Sequence, residues 1–410
     1  MNANGNLVAT INAGSSSLRF ALFEMGKEIT RKFVGKFERI GSAGAGLTTE
    51  DFSNNEKTRK AITMADHVES IPILVEWLEK AIPIGAVAGI GHRIVHGGPR
   101  YFEPQQVDGA MLKELRRLSP ADPTHLPAEI SVIENLAERY PKTPQFACFD
   151  TAFHRSMPRV ARLLPIPRRY FGQGVQRYGF HGLSYSYQVG ELERIEGAPI
   201  KGRIILAHLG GGASLAAVRD GKCIDTTRAF TPAAGLMMST RSGDIDPGLP
   251  AYFARTERMN AEQFDRMINA ESGLLGVSET SPDVRDLLEK ENSDARAAEA
   301  LALFCYQVKK WIGALSAALG GLDMLVFSGG IGQNSAAIRE RISEGLGYLG
   351  IELNRVLNTA HEPVISEEGS KVTVRIIRTD EELYIAQSVW ALIGRESRSE
   401  SVEQNKPAYA

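Results

Sequence analysis

With 410 residues, 43% of them hydrophobic and 23% charged, the chain is long enough for two soluble globular domains, each with its own core. A net charge of −2 gives no electrostatic grip on nucleic acid or acidic membranes. The three cysteines, Cys148, Cys223 and Cys305, lie far apart without a CxxC pair, which suggests neither a disulfide framework nor a zinc site and matches a reducing, cytoplasmic setting.

In chain order, MNANGNLVAT lacks a basic region followed by an apolar core and is not read as a signal peptide. Leu7 to Ile11 and Ser17 to Phe23 are strand-like runs around NAGSSS, a glycine, serine and asparagine turn of the kind that offers N–H groups and hydroxyls to a phosphate, with Arg19 close behind. An ordinary hairpin reads the same way. Gly41 to Lys60 is polar and aperiodic and reads as a loop or a mobile excursion. Ile71 to Ile82 predicts a helix, and Ala86 to Val95 a strand ending in HRIVHGG. His92 and His96 have the helical spacing of zinc ligands, but Ile94, Val95 and Gly97-Gly98 favour a strand end. Arg93, on the other face, suits an oxyanion or a structural salt bridge.

Pro127 to Tyr140 predicts an amphipathic helix that feeds the strand Gln145 to Phe149 and then Asp150. A carboxylate at the carboxyl end of a buried strand sits where α/β proteins place chemistry, although it equally suits a helix cap. His181 in RYGFHGLS, set among aromatics, is either a core residue or a catalyst. Arg203 to Leu209, GGGAS and Leu215 to Val218 repeat the strand, turn, strand pattern, which predicts a duplicated architecture with one phosphate loop in each half. TPAAGLMMSTRSGDIDPG carries Arg241, Asp244 and Asp246 and reads as a surface loop. A helix spans about Ala295 to Leu319, interrupted from the strand Leu325 to Phe327 by glycines and Asp323, which argues against a membrane span. In DMLVFSGGIGQN that strand stops at Gly329, Gly330 and Gly332, and Ile338, Ile342 and Leu346 predict a helix capped by Asn334 or Ser335: a plausible nucleotide cradle. Val372 to Ile377 is a last strand, RTDEEL leads into a last helix, and Glu396 to Ala410 reads as a disordered polar tail. GxxxxGK[ST], HExxH, GxSxG and a GxGxxG after a strand are all missing from the sequence, so the P-loop, zincin, α/β-hydrolase and Rossmann readings lose support.

NAGSSSLRFALF, GHRIVHGG, FDTAFH, RYGFHGLS, AHLGGGASLAAV, STRSGDIDPG, FSGGIGQN and TDEEL together resemble the acetate kinase family, in the same order and across nearly the whole chain. The resemblance implies an α/β fold of the sugar kinase, Hsp70 and actin superfamily, with ribonuclease H-like mixed sheets in two related domains closing over a nucleotide. It implies domains at 1–150, completed by a helix at about 383–395, and at 151–382, usually in a homodimer. It implies reversible, Mg²⁺- or Mn²⁺-dependent phosphoryl transfer from ATP to acetate, giving ADP and acetyl phosphate, with a phosphate acetyltransferase or phosphoketolase as the enzyme next in line. By the same resemblance Asn12 and Glu381 organise the metal, Arg19 faces the nucleotide phosphates, Arg93 and Arg241 bind the carboxylate and the transferred group, and His181 stabilises the transition state. His208, Leu209, Gly210, Gly211 and Gly212, then Asp283, Val284 and Arg285, then Gly329, Gly330, Ile331, Gly332, Gln333 and Asn334 hold the nucleotide. Val95, Phe180 and Pro232 resemble the pocket for the acyl methyl.

Asp150 is the residue that the family assigns to proton transfer. A carboxylate acceptor with a solution pKa of about 4 is already ionised at neutral pH, so Asp150 is expected instead to orient an arginine or a metal-bound water. The chain departs from the usual family pattern at Arg19 for lysine, Gly211 for asparagine and Gln333 for glutamate, and SPADPTHLPA displaces the match of Thr124 and His125. Acetate kinase, a propionate or butyrate kinase, and a nucleotide-binding module without catalysis remain the three readings.

Overall fold

The computed structural model describes residues 5–14, 17–40, 44–64, 67–81 and 86–404. Ser15 and Ser16 at the tip of NAGSSS, residues 41–43, Ile82, and the ends Met1 to Asn4 and 405–410 lie outside them. The chain divides into two compact units, one of Met1–Ala152 with Asp380–Ala410 and one of Phe153–Thr379.

The first unit is built on an eight-stranded sheet of β1 (Leu7–Ala13), β2 (Ser17–Glu24), β3 (Thr30–Glu38), β4 (Gly46–Asp51), β5 (Glu56–Ala61), β6 (Val87–Ile94), β7 (Gln105–Gln106) and β8 (Gln145–Phe149), in the order β5-β4-β3-β2-β1-β6-β8-β7. The β1 to β5 run is an antiparallel meander, while β6 lies parallel to β1 and β8 parallel to β6. The segment expected to be a loop from Gly41 to Lys60 therefore contains a hairpin. Its polarity misled because β5 is exposed along its whole length, and an edge strand needs no apolar face. Phe20, Phe33, Phe37 and Trp77 cluster beneath the meander, with the Phe33 and Trp77 ring centroids 3.5 Å apart.

The last helix, Glu381–Gln404, buries Ile385, Ala386 and Val389 and so joins this unit. Its backbone runs through residues 396–404, beyond the point where the sequence reading placed a disordered tail. Close approach to β6 depends on Gly91, where a Cβ would stand 2.4 Å from Ile385 Cγ2. The helix consequently starts beside the end of β1, with Glu381 and Glu382 in its first turn.

The second unit carries a five-stranded sheet of β9 (Arg203–Leu209), β10 (Ala213–Arg219), β11 (Lys222–Thr226), β12 (Met324–Ser328) and β13 (Thr373–Ile376), ordered β11-β10-β9-β12-β13. β11, β10 and β9 are antiparallel neighbours, and β12 and β13 continue parallel to β9. This repeats β3-β2-β1-β6-β8 strand for strand and direction for direction, the duplication that the two glycine hairpins predict. The helix Ala295–Leu319 covers this sheet with Ala297, Leu301, Phe304, Val308, Ile312 and Leu315. Leu236, Met237 and Met238 join the same core, so the central part of TPAAGLMMSTRSGDIDPG is buried and not a surface loop.

Candidate active site

In the first unit the functional side chains stand where strands end. Arg93, next to last in β6, donates from Nε and Nη2 to Asp150 Oδ2 at 3.1 and 2.6 Å and from Nη1 to the Ala13 carbonyl at 2.8 Å. Glu129 Oε1 approaches Nη1 at 3.8 Å from the helix Leu126–Arg139, and its Oε2 accepts from the Val95 amide at 3.0 Å. Burial opposes the Arg93 charge, but Asp150, Glu129 and Glu381 outweigh it and hold its pKa above the ordinary guanidinium value. Burial pushes Glu129 up to about 8, against the pull of Arg93 and the Val95 amide. Of the two readings offered for a lone arginine, the salt bridge is the one the structure shows.

Asn12, in β1, donates from Nδ2 to Glu381 Oε2 at 2.9 Å and to Glu382 Oε1 at 3.2 Å. Burial, and after it the Asp150 charge, raises the Glu381 carboxyl above the usual carboxylate range. Asp150 Oδ1 and Glu129 Oε1 are buried without a hydrogen-bond partner. An excess of carboxylate oxygen around one amide is the chemistry of a hard divalent cation. Among the described residues no group of three histidine, cysteine or acidic side chains is placed to hold a metal ion. Arg19, exposed on β2, lines a cleft of about 330 Å³ with Arg31, Lys36 and Glu382.

His92 and His96 bond different partners: His92 Nε2 lies 2.6 Å from Gln145 Oε1, and His96 Nδ1 accepts from the Gly98 amide at 2.8 Å. Burial pushes both down to about 4, so they are neutral core residues. Val95 is buried beside them. His125 is buried against Asp122 at 2.8 Å, and Thr124 is exposed.

The second unit gathers the glycine turns. Leu209 to Ala213 closes β9 onto β10, with the Gly210 amide on the Gly212 carbonyl at 3.0 Å and the Ser239 amide on the Gly211 carbonyl at 3.2 Å. His208 sits at the end of β9 and bonds Ser184 Oγ through Nδ1 at 2.7 Å. A helix, Gly329–Asn334, starts directly at the end of β12, so the helical backbone begins at the glycines and not after Asn334. Gly329 has φ +74°, and a Cβ there would meet the Leu209 carbonyl oxygen at 2.5 Å, so only glycine brings this turn onto the first one. Gln333 Oε1 accepts from the Thr379 and Gly329 amides at 3.1 and 3.2 Å, and Asn334 caps Gly330. Gly332 is buried and Ile331 packs against the core. Ser335 then caps the next helix, Ala336–Ser343. Asp283 caps Val284–Lys290 and pairs with the exposed Arg285, while Val284 is buried in the core.

His181 precedes the helix Gly182–Glu196 with φ +59°, a left-handed conformation uncommon for a residue other than glycine. The buried His154 ring bonds the adjacent Phe180 carbonyl at 2.9 Å. Phe180 itself is buried, Pro232 is half-buried, and Arg241 Nη1 reaches the Pro232 carbonyl at 3.3 Å. Sequence reasoning missed Glu129, Glu382, Tyr185 and Ser214. Glu129 was visible as a carboxylate on the apolar stripe with Ile133 and Leu136; the others carried no local signal.

Two units that share a five-strand core order, with glycine turns and acidic or basic residues at the strand ends, define an α/β kinase fold of the sugar kinase, Hsp70 and actin superfamily. The profile of the Acetokinase family matches residues 7–387, and the chain belongs to that family. It is 40% identical over 400 residues to the acetate kinase of Methylocella silvestris, covering 94% of this chain and 98% of that one. It is also 40% identical over 390 residues to the propionate kinase of Citrobacter rodentium, covering 93% and 96%. The crystal structure of Porphyromonas gingivalis acetate kinase matches with a TM-score of 0.84 at 35% identity, over 95% of this chain and 100% of that one.

Proposed function

We propose that this protein is a carboxylate kinase that transfers a phosphoryl group reversibly between ATP and acetate, giving ADP and acetyl phosphate. The observation that carries the reading is Arg93: a part-buried guanidinium held by Asp150 and near Glu129, beside Asn12 and the acidic pair Glu381 and Glu382. A fixed fork of this kind binds a carboxylate in two-point fashion with little rotamer entropy left to lose. Nucleotide binding alone does not call for it.

Phosphoryl transfer spreads charge over three equatorial oxygens, so rigid positive groups and N–H donors supply most of the catalysis. Arg93 positions the acid, Arg241 and His181 take charge on the transferred group, and the turns at His208 to Gly212 and Gly329 to Asn334 present backbone N–H groups to the phosphates, with Arg19 and Asp283 to Arg285 completing the nucleotide contacts. Asn12, Asp150 and Glu381 are the groups that would organise Mg²⁺. When bound, the ion neutralises phosphate charge and aligns the transferred group. Asp150, spent on Arg93, orients that arginine instead of removing a proton from an acid that is already ionised.

Propionate is the second reading, supported by a propionate kinase relative of equal identity. Val95, Phe180 and Pro232 would set how long an acyl chain is accepted. A cytoplasmic homodimer working with an enzyme that makes or consumes acyl phosphate, a phosphate acetyltransferase or a phosphoketolase, belongs to the same proposal. The test is a hydroxamate assay with ATP and Mg²⁺, comparing acetate, propionate and butyrate by kcat/KM. Preference for acetate supports the proposal, preference for a longer acid moves it to the second reading, and no trapped product with any acid overturns both. Asp150→Asn is expected to remove no limb from the pH-rate profile.

A further inference from the structure

In the run Gly179, Phe180, His181 two residues of three are left-handed, Gly179 at φ +76° and His181 at φ +59°. A buried histidine from another segment lies against this run. The His154 ring packs edge-on to Phe153 and to Tyr185, on the helix that His181 opens, with ring centroids 5.4 and 5.8 Å apart. Its Nδ1 lies 3.1 Å from Cys223 Sγ on β11, and its Nε2 lies 2.9 Å from the Phe180 carbonyl oxygen. Gly179 passes so near the ring that a Cβ there would stand 2.5 Å from His154 Cγ, an approach that only glycine allows.

A carbonyl oxygen only accepts, so the Phe180 contact is donated by His154 from Nε2. Cys223 does not oppose that assignment, because a thiol can either donate or accept. Burial pushes the His154 pKa down to about 4, and the ring is an uncharged donor at neutral pH. What it holds is more than one oxygen. The Phe180 carbonyl and the His181 amide belong to a single planar peptide unit, so a bond to the first fixes the plane from which His181 turns into its left-handed conformation. A left-handed residue that carries a Cβ is strained, and the bond from His154 is placed to offset that strain. The His181 ring then meets Ser214 Oγ through Nδ1 at 2.8 Å, and Ser214 Oγ lies 2.5 Å from the Tyr185 hydroxyl.

We propose that His154 is a positioning residue for His181: by donating from Nε2 to the Phe180 carbonyl it holds the Phe180–His181 peptide plane, and with it the imidazole that takes charge on the transferred group. Its purpose rests on the proposed phosphoryl transfer; the placement of the His181 ring does not. His154 is itself buried and acts through that peptide unit. A small displacement of a group that works only in the transition state lowers kcat and leaves substrate binding in place.

The experiment compares His154→Gln, His154→Asn and His154→Leu in the full-length protein. A glutamine amide reaches as far as Nε2 and can still donate to the Phe180 carbonyl; an asparagine amide reaches only as far as Nδ1. His154→Asn and His154→Leu are expected to lower kcat about tenfold in the hydroxamate assay, with KM for ATP and acetate unchanged to within about twofold. His154→Gln should recover kcat to within about threefold. In a His181→Ala background, His154→Asn should lower the remaining activity no further; a second full loss there would make His154 a general structural residue and overturn the proposal. Histidine ring signals in ¹³C,¹⁵N-labelled protein give a readout that needs no turnover, with His181 assigned by the signals lost in His181→Ala. They should shift in His154→Asn and return in His154→Gln, and unchanged His181 signals in His154→Asn overturn the proposal whatever the assay shows. The asparagine and glutamine variants decide the matter even if His154→Leu fails to fold. No trapped product from the unaltered protein, beside the expected shifts, would sink the proposed reaction and leave the positioning role standing.

Discussion

The two units share a strand order and differ in what they place at corresponding strand ends. Where β1 turns into β2 the first unit offers Asn12 and Arg19; where β9 turns into β10 the second offers three glycines. Where β6 ends stands the ion-paired Arg93, and where β12 ends stands Gly329 and the start of a helix. One unit therefore supplies charged side chains locked to each other, and the other supplies backbone N–H groups and imidazoles. Side-chain charges cost desolvation and need partners to stay buried, whereas backbone donors need only room for a close approach. A duplicated scaffold can carry both kinds of group because these requirements are met by different residue types at equivalent places.

Removing one locked charge should hurt the first unit twice. Arg93→Ala is expected to lower kcat/KM for the acid by about 10²–10³-fold and to cost roughly 3 kcal/mol of stability, because Asp150 is left buried without its ion-pair partner. Arg241→Ala should match the kinetic loss with little change in melting, since Arg241 is half-buried and holds the Pro232 carbonyl. Equal stability losses in the two variants, read by thermal melts beside the kinetics, would break the contrast. In the second unit, Gly329→Ala should cost about 1–3 kcal/mol through strain at φ +74° and collision with the Leu209 carbonyl. Its loss of activity should appear chiefly in KM for ATP.

A smaller effect sharpens the first unit's dependence on burial. Glu129 has its pKa raised to about 8, so the folded state holds its proton more tightly than the unfolded chain. The stability it contributes is fully present below the unfolded carboxylate pKa and is lost as pH rises through about 8. Denaturant midpoints measured across that range should fall more steeply for the unaltered protein than for Glu129→Gln. Least of all, Gly330→Ala, with nothing within 4 Å of the added Cβ, should change stability by no more than about 0.5 kcal/mol. A large loss there would show that the turn is constrained by more than Gly329.

Much of this was legible in the chain. The helix Ala295–Leu319 and the strands Gln145–Phe149 and Arg203–Leu209 follow from local pattern, because the helix buries one apolar stripe and the strands are short, largely apolar runs buried on both faces. The motifs named Arg93, Asp150, His181 and the glycine turns, because turns and strand ends leave a local mark in residue type. Local reading failed at β4 and β5, where an exposed edge hairpin has no apolar pattern, and at Leu236 to Met238, where a glycine- and proline-rich segment is nonetheless buried. It also could not pair Arg93 with Glu129, Asn12 with Glu381 and Glu382, or His181 with Ser214 and Tyr185. The sequence by itself determined the element types and the kinds of group available for chemistry, since those depend on neighbours along the chain. Which charges are buried together and which carboxyl keeps its proton were decided only by the tertiary structure, because desolvation and hydrogen-bond geometry depend on neighbours in space.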